Sequence, residues 1–571
     1  MTAKLTPNAR LRNARDFLEN LVNHPITPPQ TSADGTHQVD RNHYLFIGRT
    51  KEWPTNLTSN PVVSEYSPPT PQVTFAEELA IRDHMIGLKK IRDVDATLVV
   101  RRFNWDSSGQ TIYYPYDIED PELLNHPTPE EIQAANVNGS YRAGSHYVVT
   151  EDYHIFKCLS NGNGAKSTIK PELPEEGTSY VFSSATDGYV WKYLATITNF
   201  QTQYFLTNQW LPVETLTEEG ETKQWAVQQS AASGTVNSYL LKSQGNGYIN
   251  VLSGSFSAAT SNSATLPEAA ERSLTDGAYN NCHVWLVGGA TPPSGPYLIT
   301  NYVASTRTIT IDGTWSAAVN TQFEILPRAI VSGNGSGASA KVLVDASTNK
   351  VKQVIPVNVG SGYSYATIQI VGGTTGVAAN ATPQIAPVGG HGRDIERELG
   401  ACFVMLTARL PYDDSSNDFP LSNDYRQVGL IRDVKSYSNS LANASTLRAS
   451  RGFSLTGVSV GPGGAFQPDE LIVGFGGGPT AQGRIIAIIN GPGPSDATIH
   501  YYQDSSTGYV QFEGGMVVTG SVTNATGNIP ENGLLNPEID KMSGDILYID
   551  NRRSILRAPN QTEILRAVIK F

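Results

Sequence analysis

The sequence predicts a mainly β, multidomain protein: β-sandwich or small β-barrel modules, with a few short helices near the N-terminus. Three observations predict it. Among 571 residues there are 52 glycines and 34 prolines, so turn chemistry recurs along the whole chain. Charged residues make up only 16%, too few for many solvated helix faces. From about Trp225 to residue 530 the chain is dominated by Gly, Ser, Thr, Ala and Val, with almost no helical period.

Length and charge bound the function. A chain this long should form three or four domains and bury a sizeable core. Its formal net charge of −12 argues against a general binder of nucleic acid or anionic membrane, which needs a basic field. The cysteines Cys158, Cys282 and Cys402 lie more than 100 residues apart and form no CxxC pair. They give neither a disulfide framework nor a zinc framework, and favour synthesis in a reducing cytoplasm. The N-terminus has no apolar signal core, and no stretch approaches the ~18 apolar residues of a membrane span.

The elements follow in order. Leu11, Ala14, Phe17, Leu18 and Leu21 recur at three-to-four spacing and predict a helix over Leu5 to Asn23, capped by Thr6 or Asn8. ITPPQTSADGT (Ile26 to Thr36) is a loop, and Tyr44 to Ile47 a strand entering GRTKEWP (Gly48 to Pro54). A second helix is expected from Phe75 to Gly87. Strands are expected at Ala96 to Arg102, Tyr147 to Val149, His154 to Cys158 and Tyr189 to Ile197. Further on, Gln244 to Gly254 and Val359 to Gly373 share a Gly-x-Gly-Tyr turn that leads out of one strand towards another. Phe466 to Ile489 is loosely echoed by Tyr509 to Gly520. The period is not fixed, so small modules in series fit better than a solenoid. The chain ends with two apolar runs, Ile546 to Ile549 and Ile564 to Ile569, around Arg552, Arg553, Arg557 and the Pro559-Asn560 turn signal. An apolar terminal strand implies a docked end. Its expected partners lie far back, near Tyr44 or Tyr189.

No catalytic or cofactor constellation emerges. Gly162-Asn163-Gly164, the glycines from Gly333 to Gly337, and Gly476 to Gly478 all lack a following helix with Lys-Ser/Thr, so hairpin turns are favoured over phosphate loops. His146 and His154 flank Glu151 and Asp152 without a third ligand at metal spacing. His391 in GGHGRD (Gly389 to Asp394) is a candidate base with no nucleophile motif beside it, and a packed histidine at a tight turn is the simpler account. Asp413, Asp414, Asp418, Glu175 and Glu176 sit in loop-like contexts and read as solvated. Tyr113, Tyr114 and Tyr116 offer aromatic faces for an interface or a sugar, although such residues more often fill cores.

Four segments carry a family resemblance: FIGRTKEWP (Phe46 to Pro54), HMIGLKKIRDVDATLVVRRFNWD (His84 to Asp106), DGYVWKYLATI (Asp187 to Ile197) and SGDILYIDNRRSILRAPNQTEILRAVIKF (Ser543 to Phe571). The helix around Arg15-Asp16-Phe17 fits too. In content, order and approximate spacing they resemble the gene-eight baseplate wedge subunit of T-even-like contractile-tailed bacteriophages, over approximately residues 10 to 215 and 540 to 571. GGHGRDIERELGACFVML (Gly389 to Leu406) and NDYRQVGLIRD (Asn423 to Asp433) resemble longer wedge proteins of related phages. The resemblance implies a virion protein, made in the host cytoplasm and non-enzymatic. It implies a homodimer that contacts other wedge proteins, with fibre-attachment proteins as further candidate partners, and takes part in the rearrangement that triggers sheath contraction. It implies no cofactor, metal, nucleic acid or membrane. The expected domains are a core over 1–230 completed by 531–571, inserted β modules over 231–385 and 451–530, and a connecting segment over 386–450. Removing 231–530 as a block is expected to leave a foldable core. Arg552, Arg553 and Arg557, with Tyr113, Tyr114 and Tyr116, are the candidate interface residues. The alternative is a tail-spike-like glycan-binding or polysaccharide-depolymerising protein.

Overall fold

The structure is a computed structural model. It describes residues 5–571 except 22–41, 57, 59–61, 121–145, 176–179, 220–221, 269–271, 373–375, 411–423, 477 and 557–562. Arg557, Pro559, Asn560, Asp413, Asp414, Asp418, Glu176 and the 26–36 loop therefore lie outside the described residues. The protein is mainly β, with short helices concentrated towards the N-terminus. Among the described residues no helix is long and apolar enough to cross a membrane. The chain divides into two compact units: a middle unit of residues 1–11 and 99–402, and a terminal unit of 12–98 and 403–571.

The terminal unit is built on a five-stranded antiparallel sheet. Its order is Thr446–Arg448, Met85–Lys90, His43–Gly48, Tyr425–Arg432, Asp545–Ile555. All six residues of His43–Gly48 are buried, because the strand is central and both its faces are covered. Tyr44, Phe46, Leu88 and Ile431 pack with Ile81 and Met85, which come from and just follow the helix Phe75–His84. Thr74 caps that helix by accepting from the Glu77 N–H. Gly429 makes room for Phe46: a Cβ there would lie 2.2 Å from the ring. A second ladder pairs Glu563–Lys570 with Phe403–Leu410 through eight registered positions. Phe571 then meets the Phe17 ring at 4.9 Å, which ties down the end of the chain.

Residues 451–528 close on themselves. The strands run Ala497–Tyr502, Ala481–Asn490, Leu471–Phe475, Val517–Gly520, Thr526–Asn528, Arg451–Ser459, and the last pairs back onto the first. This is a six-stranded barrel, with Phe453, Ile472, Ile485, Ile499, Tyr501, Phe512 and Val518 filling its interior. Closure removes the exposed edges that a short sheet would otherwise present.

Three cores stand out among the described residues of the middle unit. Tyr147–Val149, His154–Asn161, Tyr189–Thr196 and Val181–Ser183 form one sheet over Phe156, Trp191 and Tyr193. Three hairpin-like ladders surround a second core: Val236–Ser243 with Asn380–Ile385, Arg328–Gly333 with Ala366–Val371, and Ser336–Asp345 with Lys350–Ser361. Within that domain's own sequence, residues 249–326 fold around a third core beneath a seven-stranded sheet, with Phe256 stacked on Phe323. The two Gly-x-Gly-Tyr turns meet in the second core. Gly245 and Gly247 have φ of 59° and 77°, Gly360 and Gly362 of 62° and 76°. Both turns end in a buried tyrosine, Tyr248 or Tyr363, whose hydroxyl accepts from a backbone N–H.

Several expectations are corrected here. The strand Glu563–Lys570 pairs with Phe403–Leu410, and not with the strands holding Tyr44 or Tyr189. Tyr189–Thr196 belongs to the middle unit instead. Asp545–Ile555 does share the sheet of Tyr44, one strand removed. It is longer than the apolar pattern implied and carries Arg552 and Arg553 within the strand. The division near 98/99 and 402/403 groups residues 99–230 with the inserted β modules. Excising 231–530 would also remove Phe403–Leu410 and Tyr425–Arg432, partners of both C-terminal strands, so that block is not dispensable.

Candidate functional site: a tied C-terminal strand and a closed charge cluster

In the terminal unit, the GRTKEWP loop is bound to the far end of the chain. Arg49 adopts φ 61° and lays its guanidinium 3.9 Å from the centre of the Trp53 ring. The Trp53 indole N–H donates to the Arg552 carbonyl at 2.8 Å, and the Trp53 backbone N–H donates to Glu65 at 3.0 Å. Arg426 is buried and donates to Glu65, Asp424 and the Thr50 carbonyl, so its charge is fully neutralised. Arg82 does similar work for the turn before the last sheet strand. Its guanidinium donates to the carbonyls of Lys541, Ser543 and Gly544 at 2.7–2.9 Å and to Glu78 at 2.7 Å. The carboxylate of Asp504, on the barrel, lies 3.5 Å from both Lys51 and His84. The His84 hydrogen bond comes first among the causes that hold that carboxyl far below the usual range, while burial pushes the His84 imidazole down.

The structure separates the candidate interface residues. Arg552 is partly exposed and donates to Asp550 at 2.7 Å. Arg553 is exposed and donates to the Tyr66 carbonyl at 2.9 Å. Both lie on the strand that ends the five-stranded sheet. Tyr113 and Tyr116 are corrections, because both are buried in the middle unit. Tyr113 packs edge-on against Trp191 and its hydroxyl accepts from the Asp106 N–H. Tyr116 lies under the Lys157 ammonium, whose nitrogen is 4.0 Å from the ring centre. Tyr114 is half-buried.

Tyr116 also marks a cluster that sequence reasoning missed. Lys157 has no exposed side-chain surface, and its Nζ lies 2.8 Å from Glu398 Oε2 and 3.1 Å from His391 Nδ1. The second oxygen of Glu398 accepts from the Gly392 N–H at 2.6 Å. Burial lowers the Lys157 pKa and Glu398 partly restores it. Burial raises the Glu398 carboxyl, but Lys157 and His391 outweigh it and leave the group at about 2. Burial, then Lys157, pushes His391 down to about 4, so its imidazole is neutral near pH 7. A neutral, enclosed histidine beside an ion pair packs and orients. The weak signals were a lysine inside the apolar run IFKCL and the Glu398 of a five-residue helix, which no local spacing connects.

His146, His154, Glu151 and Asp152 each have other partners. His146 Nε2 approaches the Glu398 carbonyl, His154 Nδ1 meets Thr196, and Glu151 and Asp152 pair with Lys170. Among the described residues no group of three or more His, Cys, Asp or Glu side chains could hold a metal ion. Glu175 is exposed. The glycine clusters at 162–164 and 333–337 join or follow strands. A cavity of about 370 Å³ opens in the terminal unit beside Asp83, Tyr437, Arg451, Tyr509, Lys541 and Met542. Burial lowers the Lys541 amine to about 8, and its Nζ donates to the Asp83 carbonyl. No family model matches the chain, and no curated protein matches it.

Proposed function

We propose that the chain is a structural subunit of the baseplate wedge of a contractile bacteriophage tail. It acts as a homodimer that links other wedge proteins and takes part in the rearrangement preceding sheath contraction. One observation carries the reading. The segments that resemble wedge subunits come from opposite ends of the sequence, yet HMIGLKK, FIGR, YRQVGLIRD and DILYIDNRRS lie as consecutive strands of one sheet. Those segments share a single core, while DGYVWKYLATI lies over another core in the middle unit. The Lys157 cluster adds support, because its titratable groups are neutralised and closed to substrate. The inserted modules serve as docking surfaces in this reading. The test is imaging of assembled tails with this subunit labelled, together with mass determination in solution. A label in six-fold array around the tail tube and a dimeric mass are expected. A stable trimer, or no label in the baseplate, overturns the assignment.

The glycan-binding alternative loses the buried Tyr113 and Tyr116 but gains Tyr437 and Tyr509, each 56% exposed, at the 370 Å³ cavity. Release of oligosaccharides from host surface polysaccharide would select it.

A further inference from the structure

The cavity of about 370 Å³ lies wholly within the terminal unit, yet its walls come from stretches far apart in sequence. Asp83 belongs to the helix Phe75–His84, Arg451 opens a barrel strand, and Tyr509 follows the barrel strand Ala497–Tyr502. Tyr437 comes after the sheet strand Tyr425–Arg432, and Lys541 comes before Asp545–Ile555. The chain itself holds these walls in place. The Tyr437 N–H donates to the Glu538 carbonyl, Arg82 donates to the Lys541 carbonyl at 2.9 Å, and the Tyr509 hydroxyl donates to Asp83 Oδ2 at 2.8 Å. A preformed cavity of this size falls within the roughly 300–1,000 Å³ of small-ligand sites.

Its unfilled hydrogen bonds name the ligand. The Lys541 Nζ donates to the Asp83 carbonyl at 2.9 Å, which leaves ammonium donors over. Among the described residues, neither the Arg451 guanidinium nor the Tyr437 hydroxyl has a hydrogen-bond partner within the chain. Burial lowers the Lys541 amine, Asp83 raises it and Arg451 lowers it further, so the two cations are neighbours. The acids are engaged instead: Asp83 Oδ2 accepts from Tyr509, and Asp540 Oδ1 accepts from the Met542 N–H at 3.0 Å. Surplus donors around two cations fit an acceptor-rich anion. With two carboxylates in the lining, a monoanion is favoured over a phosphate dianion, and the guanidinium fork matches a carboxylate. The half-exposed rings of Tyr437 and Tyr509 add flat apolar faces for the C–H side of a ring-sized body. We propose that this cavity binds a sugar acid of the hexuronate class, with its carboxylate between Arg451 and Lys541 and its ring against the tyrosines. The inference rests on neither functional reading: a wedge subunit and a glycan-binding protein can both carry such a site, and binding needs no cleavage.

Titration calorimetry of the full chain with methyl glucuronide tests it, and tail imaging leaves it untouched. Expected is saturable binding at least tenfold tighter than that of methyl glucoside, acetate or inorganic phosphate. Arg451→Leu and Tyr437→Ala should each weaken it at least tenfold and keep the parent's melting transition, while the exposed middle-unit control Lys352→Met should bind like the parent. A second measurement needs no variant. Methyl glucuronide should slow acetylation of Lys541 in the parent, read by peptide mass, and methyl glucoside should not. Absent binding, equal binding of glucuronide and glucoside, or full binding by a folded Arg451→Leu overturns the proposal. Acetate or phosphate bound as tightly as the glucuronide overturns it too, because the ring would then have no part.

Discussion

The Trp53 indole donates to the Arg552 carbonyl at 2.8 Å across 499 residues of sequence. With Arg49 on its ring, this residue fastens the N-terminal loop to the C-terminal strand. Trp53→Phe keeps the ring but loses the donor and should cost about 1 kcal/mol. Trp53→Ala should cost about 3–5 kcal/mol, because the ring's packing goes as well. Denaturant melts of the two variants, read on the terminal unit, check the order; equal losses would mean that the indole bond dominates.

The last strand closes its ladder rather than decorating it. Glu563–Lys570 pairs with Phe403–Leu410 at all eight positions, and Leu565 and Ala567 are buried. A chain truncated before Glu563 should express insolubly or lose the terminal unit's cooperative transition. A truncated chain that melts like the parent would show that Phe403–Leu410 does not need this partner.

How far the sequence revealed this arrangement depends on the range over which each constraint acts. Turn chemistry is local, so the Gly-x-Gly-Tyr pairs and the strands near Tyr44, Tyr147 and Tyr189 were legible within a residue or two. The end of the second helix was placed three residues too late. Met85 continues the apolar pattern, but its backbone joins the sheet beside Gly48. Strand partnership was less legible, because Phe403–Leu410 and Tyr189–Thr196 are equally apolar and nothing local says which one receives the chain end. The Lys157–Glu398 pair was invisible for the same reason: 241 residues separate its members. Tyr113 and Tyr116 show the opposite error, since an aromatic run reads alike whether its rings face solvent or a core.

That buried pair makes a prediction of its own. Lys157→Met strands the Glu398 carboxylate in the core and should cost about 3–5 kcal/mol. Adding Glu398→Leu removes the stranded charge and should recover most of that loss. The Gly392 N–H still loses its acceptor, at about 1–3 kcal/mol. Melting transitions of the single and double variants decide; a double variant worse than Lys157→Met would mean that the stranded Glu398 carboxylate is not what the single substitution costs.

Three buried histidines set an acid window. His391, His283 and His500 are each held at about 4: burial comes first, followed by Lys157, Arg328 and Arg448 respectively. Their folded-state values lie below the ordinary ~6.5, so the unfolded chain binds more protons between those limits. Stability should therefore fall as pH drops from about 6.5 to 4, by on the order of 3 kcal/mol per histidine when the fall is complete. Glu398, held at about 2, adds a further loss as pH falls from about 4.5 towards 2. Melting temperature against pH should show the first slope, and His283→Gln with His500→Gln should flatten it. A flat parent profile between pH 6.5 and 4 would contradict this assignment.

The paired glycine turns allow a finer test, because the first glycine of each turn is more closely surrounded than Gly362, the second glycine of one of them. At Gly360 an added Cβ would lie 2.5 Å from the Ala338 nitrogen, and at Gly245 2.5 Å from the Ala379 nitrogen. At Gly362 the nearest atom would be 3.8 Å away, so only the positive φ of 76° penalises a side chain. Gly362→Ala should cost about 1 kcal/mol, the usual penalty for a left-handed non-glycine residue. Gly360→Ala and Gly245→Ala must also displace backbone, and should cost more. The discriminating measurement is the stability of the second core in the middle unit, followed by exchange of its backbone amides. If Gly362→Ala proves the most damaging of the three, φ alone controls these turns and the close backbone approach is incidental.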